Sequence, residues 1–130
     1  MRLIGNGNTH ISLVHPCDVV QCLRLAAEKG EENDIFNAIS VICTVKELLN
    51  EITNHMEIEP IKKHVPYFLA YLTAFFDETL SKNEPSLTRY RVKSFGTNRI
   101  ISNKKAIKKL GFKPKYNLYE IVKDMVSLYK

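Results

Sequence analysis

Three side chains that can bind a metal ion or act as nucleophiles lie close together near the start of the chain. His10, His15 and Cys17 carry the imidazole and thiol groups that zinc prefers as ligands. On an alternating strand, however, His10 and His15 would point to opposite faces, and no fourth ligand has metal-binding spacing. We therefore interpret His15 as a side chain that packs or forms hydrogen bonds. Because the chain also has no Ser-His-Asp arrangement and no paired carboxylates, we assign no catalytic and no metal-binding residue.

Two further patterns could bind phosphate groups. Residues 5–8 read Gly-Asn-Gly-Asn, but a dinucleotide loop follows a strand, opens a helix and has a third glycine. Here the third glycine is missing and a strand follows, which favours a plain turn. A run of lysines near residue 105 lacks interleaved aromatic residues, and helical spacing places most of it opposite an apolar stripe. We interpret this run as a solvated helix face, comprising Lys104, Lys105, Lys108 and Lys109.

Length and composition indicate an ordinary globular chain. The 130 residues are enough for one core that buries about 68% of the unfolded surface. A net charge of +5 permits contact with anionic partners without arguing for it. The three cysteines form no C-x-x-C motif, which favours reduced thiols and a cytoplasmic location. No signal peptide is recognisable and no apolar run reaches about 18 residues, so we expect no contact with a membrane.

The first half of the chain alternates strand and helix patterns. A strand at residues 11–14 leads into a helix at 16–29, where Pro16 and Asp18 suit the first turn. Its predicted inward residues are Val19, Val20, Leu23, Ala26 and Ala27. The apolar run at residues 34–39 predicts a strand buried on both faces, typical of a parallel sheet. A capping box at residues 44–47 opens the next helix. This rhythm predicts an α/β fold.

The second half of the chain is predicted to be mainly helical. Pro66 starts a helix to about residue 80 that is apolar almost all round, so it packs in a core or an interface, or lines a substrate cavity. A short helix capped by Ser86, a strand at 98–101 and a helix at 102–110 ended by Gly111 follow. Asn117 opens a last helix. Its predicted inward residues are Leu118, Ile121, Val122 and Met125.

Four segments, in order along almost the whole chain, carry a family resemblance. Residues 14–19, Val-His-Pro-Cys-Asp-Val, are similar to a V-H-V-D-D-V signature, and Phe36-Asn37 stands where the family has Y-N. Residues 84–89 are similar to P-P-L-T-R. Residues 102–114 are similar to the closing motif D-x-S-K-A-x-x-x-L-G-W/Y-x-P. The family is the extended short-chain dehydrogenase/reductases, also called NAD-dependent epimerase/dehydratases. The chain resembles most the branch of dihydroflavonol reductases and 3β-hydroxysteroid dehydrogenases.

The resemblance implies that residues 1–130 are a single C-terminal, substrate-binding portion, with partial Rossmann-type sheet elements covered by five or six helices. The N-terminal dinucleotide-binding portion is expected to be absent. In a complete enzyme the resemblance implies NAD or NADP and hydride transfer to or from an alcohol, ketone or sugar carbon. We expect no cofactor in this chain. The substrate-binding residues that the resemblance implies are Val14, His15, Asp18, Tyr67, Tyr71 and Arg89.

Departures from the family pattern narrow the function. Ile11 stands where the nucleotide-sugar enzymes have an arginine for the substrate phosphates, and loss of its bidentate hydrogen bonds argues against a pyrophosphate ligand. The reductase branch therefore fits better. The family's catalysis also needs a glycine-rich turn and a Tyr-x-x-x-Lys pair, whose lysine lowers the pKa of the tyrosine. Tyr119 and Lys123 have this spacing but lie in the closing helix, so we interpret them as a surface pair.

These features lead to expectations about partners. The chain alone should not catalyse a reaction. A buried strand at residues 34–39 without sheet neighbours would leave unpaired edges, which favours a homodimer or a partner chain that binds the cofactor. The alternative is a stand-alone module without enzymatic activity, either dimeric or weakly bound to nucleic acid. Nucleic-acid binding would depend steeply on salt concentration.

Overall fold

The computed structural model describes residues 3–61, 64–80 and 88–128. They form two compact units, the first from residues 1–10 and 44–98 and the second from residues 11–43 and 99–130. Each unit has its own hydrophobic core, whereas the sequence predicts a single core for the whole chain. In chain order the elements are β1 (Leu3–Ile4), β2 (His10–Leu13), α1 (Pro16–Lys29), β3 (Val41–Thr44), α2 (Val45–His55), β4 (His64–Val65), α3 (Tyr67–Leu80), α4 (Arg89–Gly96), a π-helix (Ala106–Leu110) and α5 (Leu118–Ser127). The α/β class is therefore confirmed.

In the first unit β1 pairs in parallel with β4, so that Leu3 lies opposite His64. β1 ends in the predicted turn, where Gly5 and Gly7 have φ angles of 69° and 72° in the left-handed region that favours glycine. The core of this unit is small, because α3 and α4 meet through Ala70, Ala74 and Val92.

Helix α3 begins directly after Pro66 and extends to Leu80, as predicted. It packs against α4 closely at Gly96, where an added Cβ would lie 2.4 Å from the Tyr67 ring. The predicted cap at Ser86 lies outside the described residues. Helix α3 buries only its two alanines within the described chain, and its large apolar side chains are exposed. These are Tyr67, Phe68, Leu69, Tyr71, Phe75 and Phe76.

Strand β2 pairs with β3, and most residues of both strands belong to the second unit. The strands run in opposite directions, because Ser40 N–H donates to the Leu13 carbonyl at one end and Val45 N–H donates to the Thr9 carbonyl at the other. The predicted strand at residues 98–101 is wrong. Arg99 forms a single β-bridge with Ile11. The Ser12 hydroxyl donates to the Arg99 carbonyl and accepts from the Ile101 N–H, so a side chain makes the contacts that strand hydrogen bonds would make.

Helix α1 spans the predicted residues, and Ala26 packs against the core as predicted, but most of its predicted inward face is wrong. Val20 and Leu23 are each 65% exposed, whereas Asp18 and Cys22 are buried. Ala27 is exposed as well. The reason is that α1 packs Cys22 against the π-helix and Phe112, and this orientation also turns Asp18 inward, where it finds hydrogen-bond donors.

The strand predicted at residues 34–39 is also wrong, and Ile35 is 79% exposed. Hydrogen bonds from side chains hold this segment, in place of backbone hydrogen bonds to a neighbouring strand. The Asn37 amide donates to the Ser102 carbonyl, and the Asn103 amide donates to the Ile39 carbonyl. The expectation of unpaired sheet edges therefore loses its basis, and the partners remain a prediction.

An ion-pair cluster holds the start of the same segment. Lys105 and Lys109 contact the Asp34 carboxylate at 2.7 Å and 3.0 Å, and Lys109 also contacts Glu31 at 2.8 Å. The hydrogen bonds from the two lysines hold the pKa of Asp34 well below its usual range. Two of the four lysines that the sequence predicts on a solvated face are therefore paired.

The helix boundaries that carry capping boxes are confirmed. Thr44 caps α2 and Asn117 caps α5, each with a glutamate three residues later that bonds back to the cap. The predicted helix at 102–110 is present as a π-helix that ends at Gly111, whose φ is 71°. In α5, Val122 and Val126 are buried, while Met125, predicted inward, is exposed.

Candidate functional site

The first group of predicted site residues lies where β2 leads into α1. His15 is buried, and its ring stacks on Tyr116 with the centroids 3.7 Å apart. Its Nδ1 accepts a hydrogen bond from Cys17 N–H at 3.2 Å, so the hydrogen sits on Nε2, which donates to Asp124 at 3.1 Å. The interpretation of His15 as a packing and hydrogen-bonding side chain is confirmed.

Asp18 anchors this part of the second unit. Its carboxylate is 1% exposed and accepts hydrogen bonds from the Ser40 hydroxyl at 2.6 Å, from Lys115 N–H at 3.1 Å and from Tyr116 N–H at 3.4 Å. Ser40 Oγ in turn accepts from His15 N–H at 3.0 Å. Bonds to an ionised acceptor are stronger than neutral ones. One carboxylate therefore joins α1, residue 40 and the segment that follows the closing motif.

A shallow surface opens beside this anchor. A cavity of about 310 Å³ is bounded by Asp18, Val20, Gln21, Arg24, Lys115, Cys17 and Tyr116. The pKa of Tyr116 is raised, first by its hydrogen bond with Cys17 and also by the nearby charges of Asp124 and Asp18. Val14, the other predicted residue here, is partly exposed.

The second group of predicted residues lies in the first unit. Tyr67, Tyr71 and Phe75 follow each other at intervals of four residues and so share one face of α3. We call these three side chains the aromatic row. The rings of Tyr67 and Tyr71 stack with centroids 6.4 Å apart, and the Arg89 guanidinium lies 5.4 Å from the Phe75 ring. The structure thus brings the three predicted residues of this unit together.

Arg89 at this row is already neutralised. Its side chain forms an ion pair with Glu78, and its backbone N–H donates to the same carboxylate at 2.7 Å. The pair lowers the pKa of Glu78 and raises that of Arg89. The row therefore offers aromatic surface, two phenols and a cation whose charge is balanced, which suits a flat apolar ligand better than a phosphate.

Sequence reasoning missed Ser40, Tyr116 and Asp124. Their spacing in the sequence does not reveal them, because they lie far along the chain from the side chains that they contact. Ser40 and Tyr116 bond Asp18, and Asp124 bonds His15. One signal was present: Ser40 is a small polar residue that directly follows an apolar run. Tyr119 and Lys123 are both exposed on α5, in agreement with their interpretation as surface residues.

The described residues do not fit a dinucleotide. Their only Gly-x-Gly turn, at residues 5–7, is followed by residues 8–9 and β2, so it places no helix N-terminus under a pyrophosphate. Within the same residues, no three His, Cys, Asp or Glu side chains cluster in a way that could hold a metal ion. Nor does any helix there have the length and apolar character needed to cross a membrane.

Comparison with known proteins relates this arrangement to a family. No protein-family model matches the chain. The chain is 28% identical over 140 residues to mouse (Mus musculus) sterol-4-alpha-carboxylate 3-dehydrogenase, decarboxylating, a match that covers 98% of the chain and 39% of that protein.

The solved structures that share the fold include two enzymes. One is UDP-glucose 4-epimerase from Thermotoga maritima with UDP-glucose, with a TM-score of 0.66 and 23% identity over 99% of this chain and 34% of the epimerase. The other is dTDP-glucose 4,6-dehydratase from Bacillus anthracis in complex with NAD, with a TM-score of 0.64 and 15% identity over 98% of this chain and 33% of the dehydratase.

These matches confirm the predicted resemblance to the extended short-chain dehydrogenase/reductases of the NAD-dependent epimerase/dehydratase type. The fold is that of the C-terminal part of such Rossmann-type enzymes. The chain spans about two fifths of the length of the mouse dehydrogenase that it matches. The complete dehydratase binds NAD, and the epimerase structure contains UDP-glucose.

Proposed function

We propose that this chain is the substrate-binding C-terminal portion of an NAD(P)-dependent oxidoreductase of the extended short-chain dehydrogenase family and is not catalytically competent alone. The observation that carries the proposal is the match to a dehydrogenase over 98% of the chain. The substrate is a small molecule.

The Asp18 anchor supports this proposal. Two motifs that carry the family resemblance, residues 14–19 and 102–114, are far apart in sequence. Asp18 belongs to the first and bonds the backbone at Lys115 and Tyr116, directly after the second. The motifs thus build one rigid platform. On this platform Asp18 and His15 act by positioning the backbone, and substrate contact falls to the more exposed side chains, including Val14.

The aromatic row supports a substrate with a large apolar body, such as an alcohol or ketone of the reductase branch. Tyr67 and Tyr71 supply a broad surface, and Arg89 is held by Glu78. Ile11 leaves no bidentate cation at the place where the nucleotide-sugar enzymes bind phosphate. NAD or NADP would be bound by residues that this chain does not contain, either in the same protein or in a partner chain.

A two-stage experiment tests the proposal. First, the coding DNA on both sides of this chain is read for a glycine-rich dinucleotide loop and a Tyr-x-x-x-Lys pair, in frame or in an adjacent gene. Second, the complete protein or the pair of chains is purified, and NAD(P)H oxidation is measured with steroid and flavonoid ketones. Absence of both motifs, or turnover with UDP-glucose alone, would overturn the proposal.

A substitution in the same assay tests the aromatic row. Tyr71→Ala should raise KM for the ketone roughly tenfold, because an aromatic contact and its buried area are lost, at a cost of about 1–2 kcal/mol. Tyr90→Ala is the matched control, since Tyr90 is highly exposed on α4. An equal change in both variants would contradict the assignment of Tyr71.

The second candidate is a stand-alone dimeric module, and the exposed apolar side chains of α3 favour it. Sedimentation of the full chain distinguishes this candidate, because a monomer at high concentration would exclude it. Binding to nucleic acid is disfavoured, since Lys105 and Lys109 already pair with Asp34 and Glu31.

A further inference from the structure

A concave surface in the first unit is lined by polar and cationic groups. This open depression has a volume of about 770 Å³, and its lining residues are Gly5, Asn6, Asn8, Lys46, His64 and Pro66. None of these residues carries a carboxylate. Sites for small molecules have volumes of about 300–1,000 Å³, so this surface has room for more than a single ion.

The turn after β1 forms one wall of this surface. The Gly5 N–H donates to the Val65 carbonyl at 2.8 Å, and the Asn8 N–H donates to the Asn6 side chain at 3.1 Å. In contrast, the N–H groups of Asn6 and Gly7 donate to no acceptor among residues 3–61, 64–80 and 88–128. Of these two residues, Asn6 lines the surface and Gly7 is buried. Free N–H groups in a turn with left-handed residues make a concavity that binds anions.

Lys46 is held against this turn. Its N–H donates to the Gly7 carbonyl at 3.0 Å, and its Cβ would lie 3.0 Å from a Cβ added at Gly7. Within the described part of the chain the Lys46 ammonium forms no ion pair. The carboxylate next to it in sequence, Glu47, is occupied by the N–H and hydroxyl of Thr44 at 2.7 Å and 2.9 Å. The Lys46 ammonium therefore forms no ion pair with the neighbouring carboxylate and is available to an anion.

His64 completes the surface from β4. Its Nδ1 lies 3.2 Å from the Gly5 carbonyl. A carbonyl oxygen can only accept, so Nδ1 carries the hydrogen, and Nε2 of the neutral ring is an acceptor. His64 therefore shapes this wall of the surface and supplies no donor to a phosphate group. The pairing of β1 with β4 places Leu3 opposite His64 and thereby fixes this ring beside the turn.

We propose that this concave surface binds a phosphate group, through the Lys46 ammonium and the free N–H group of Asn6. A lysine binds phosphate as a point charge and needs no bidentate geometry, so the site differs from the arginine site that Ile11 rules out. The inference goes beyond the proposed function, because the aromatic row takes no part in it. The phosphate is either free or part of a larger ligand.

Calorimetric titration of the full chain at low salt tests the proposal. The probes are inorganic phosphate, uridine monophosphate and acetate. We expect saturable binding at one site, weakened roughly tenfold by Lys46→Gln, because a charge-assisted bond is lost. Lys108→Gln is the matched control, since Lys108 is an exposed lysine of the second unit. Removing a cation from the start of α2 should not destabilise the fold, and thermal unfolding checks this.

The possible outcomes separate the sources of the phosphate. Tighter binding of uridine monophosphate than of phosphate assigns the group to a nucleotide-sized ligand, and equal binding assigns it to free phosphate. No saturable binding, equal weakening by both lysine variants, or acetate binding as strong as that of phosphate would overturn the proposal. If Lys46→Gln unfolds, Lys46→Met takes its place with the same expected loss, because it keeps the apolar stem of the side chain and removes only the charge. No turnover is measured, so failure here leaves the proposed oxidoreductase function standing.

Discussion

The substitution Asp18→Asn should lower the free energy of unfolding by about 3 kcal/mol. The carboxylate accepts from three groups, the Ser40 hydroxyl and the N–H groups of Lys115 and Tyr116. A hydrogen bond to a charged group contributes about 1.5–3 kcal/mol and a neutral one about 0.5–1.5 kcal/mol, so each bond loses about 1 kcal/mol. The new amide also turns an NH₂ group toward N–H donors. Asparagine has nearly the same shape as aspartate, so the substitution opens no cavity that would add to the loss of stability.

Urea unfolding followed by circular dichroism measures this loss. With an m value of about 2 kcal/mol/M, the midpoint should fall by about 1.5 M. Asp124→Asn is the matched control, because the Asp124 side chain is 60% exposed and its amide oxygen can still accept from His15. Its effect should stay within about 0.5 kcal/mol. Equal shifts in the two variants would refute the view that Asp18 anchors the second unit.

Three further predictions follow from the fold. Asp34→Asn should reduce the slope with which the free energy of unfolding falls in acid. The pKa of Asp34 is lower in the folded chain than in the unfolded chain, so the ionised carboxylate stabilises the fold fully above about pH 4, and this stabilisation is lost as the pH falls. Gly96→Ala should lower the thermal midpoint of the first unit, because the new methyl group would meet the Tyr67 ring. Iodoacetamide should modify Cys17 in the native chain and spare Cys22, because Cys17 is exposed and burial raises the pKa of the Cys22 thiol.

Matched measurements can refute each of these. For the acid profile the comparison is Glu32→Gln, an exposed carboxylate whose removal should leave the slope unchanged. For the helix contact it is Lys93→Ala on the exposed side of α4, which should leave the thermal midpoint within about one degree. For the thiols, mass spectrometry of digested protein should find Cys17 labelled first. Equal labelling of Cys43, which is buried, would contradict the burial argument.

Local signals in the sequence predicted the helix boundaries well. Thr44 and Asn117 each bond an N–H three residues later, and Gly111 adopts the left-handed conformation that ends a helix. Pro66 stands directly before α3. Each of these features acts within one turn of backbone, so neighbouring residues suffice to predict it.

The inward faces were predicted less well, because apolar spacing does not reveal a buried charge. On α1 the sequence predicts Val20 and Leu23 as inward, yet the buried positions are Asp18 and Cys22. The helix turns this way because donors from residues 40, 115 and 116 compensate the carboxylate, and those residues are distant in sequence. The prediction of a strand at residues 34–39 was wrong for a related reason. Hydrogen bonds from the amide side chains of residues 37 and 103 connect this segment to the segment at residues 102–103, and no neighbouring strand pairs with it in the described part of the chain.

The amino-acid sequence was sufficient to predict the α/β class, the capped helices and the motifs that relate the chain to the extended short-chain dehydrogenases. The folded chain was needed to show that Asp18 is an internal anchor, that Arg89 forms an ion pair with Glu78, and that Lys46 and His64 line a surface beside the Gly5–Gly7 turn. Motifs and caps arise from residues that are adjacent in the chain. Whether a charge is paired, buried or free depends on residues that folding brings from far along the chain, and their spacing does not record it.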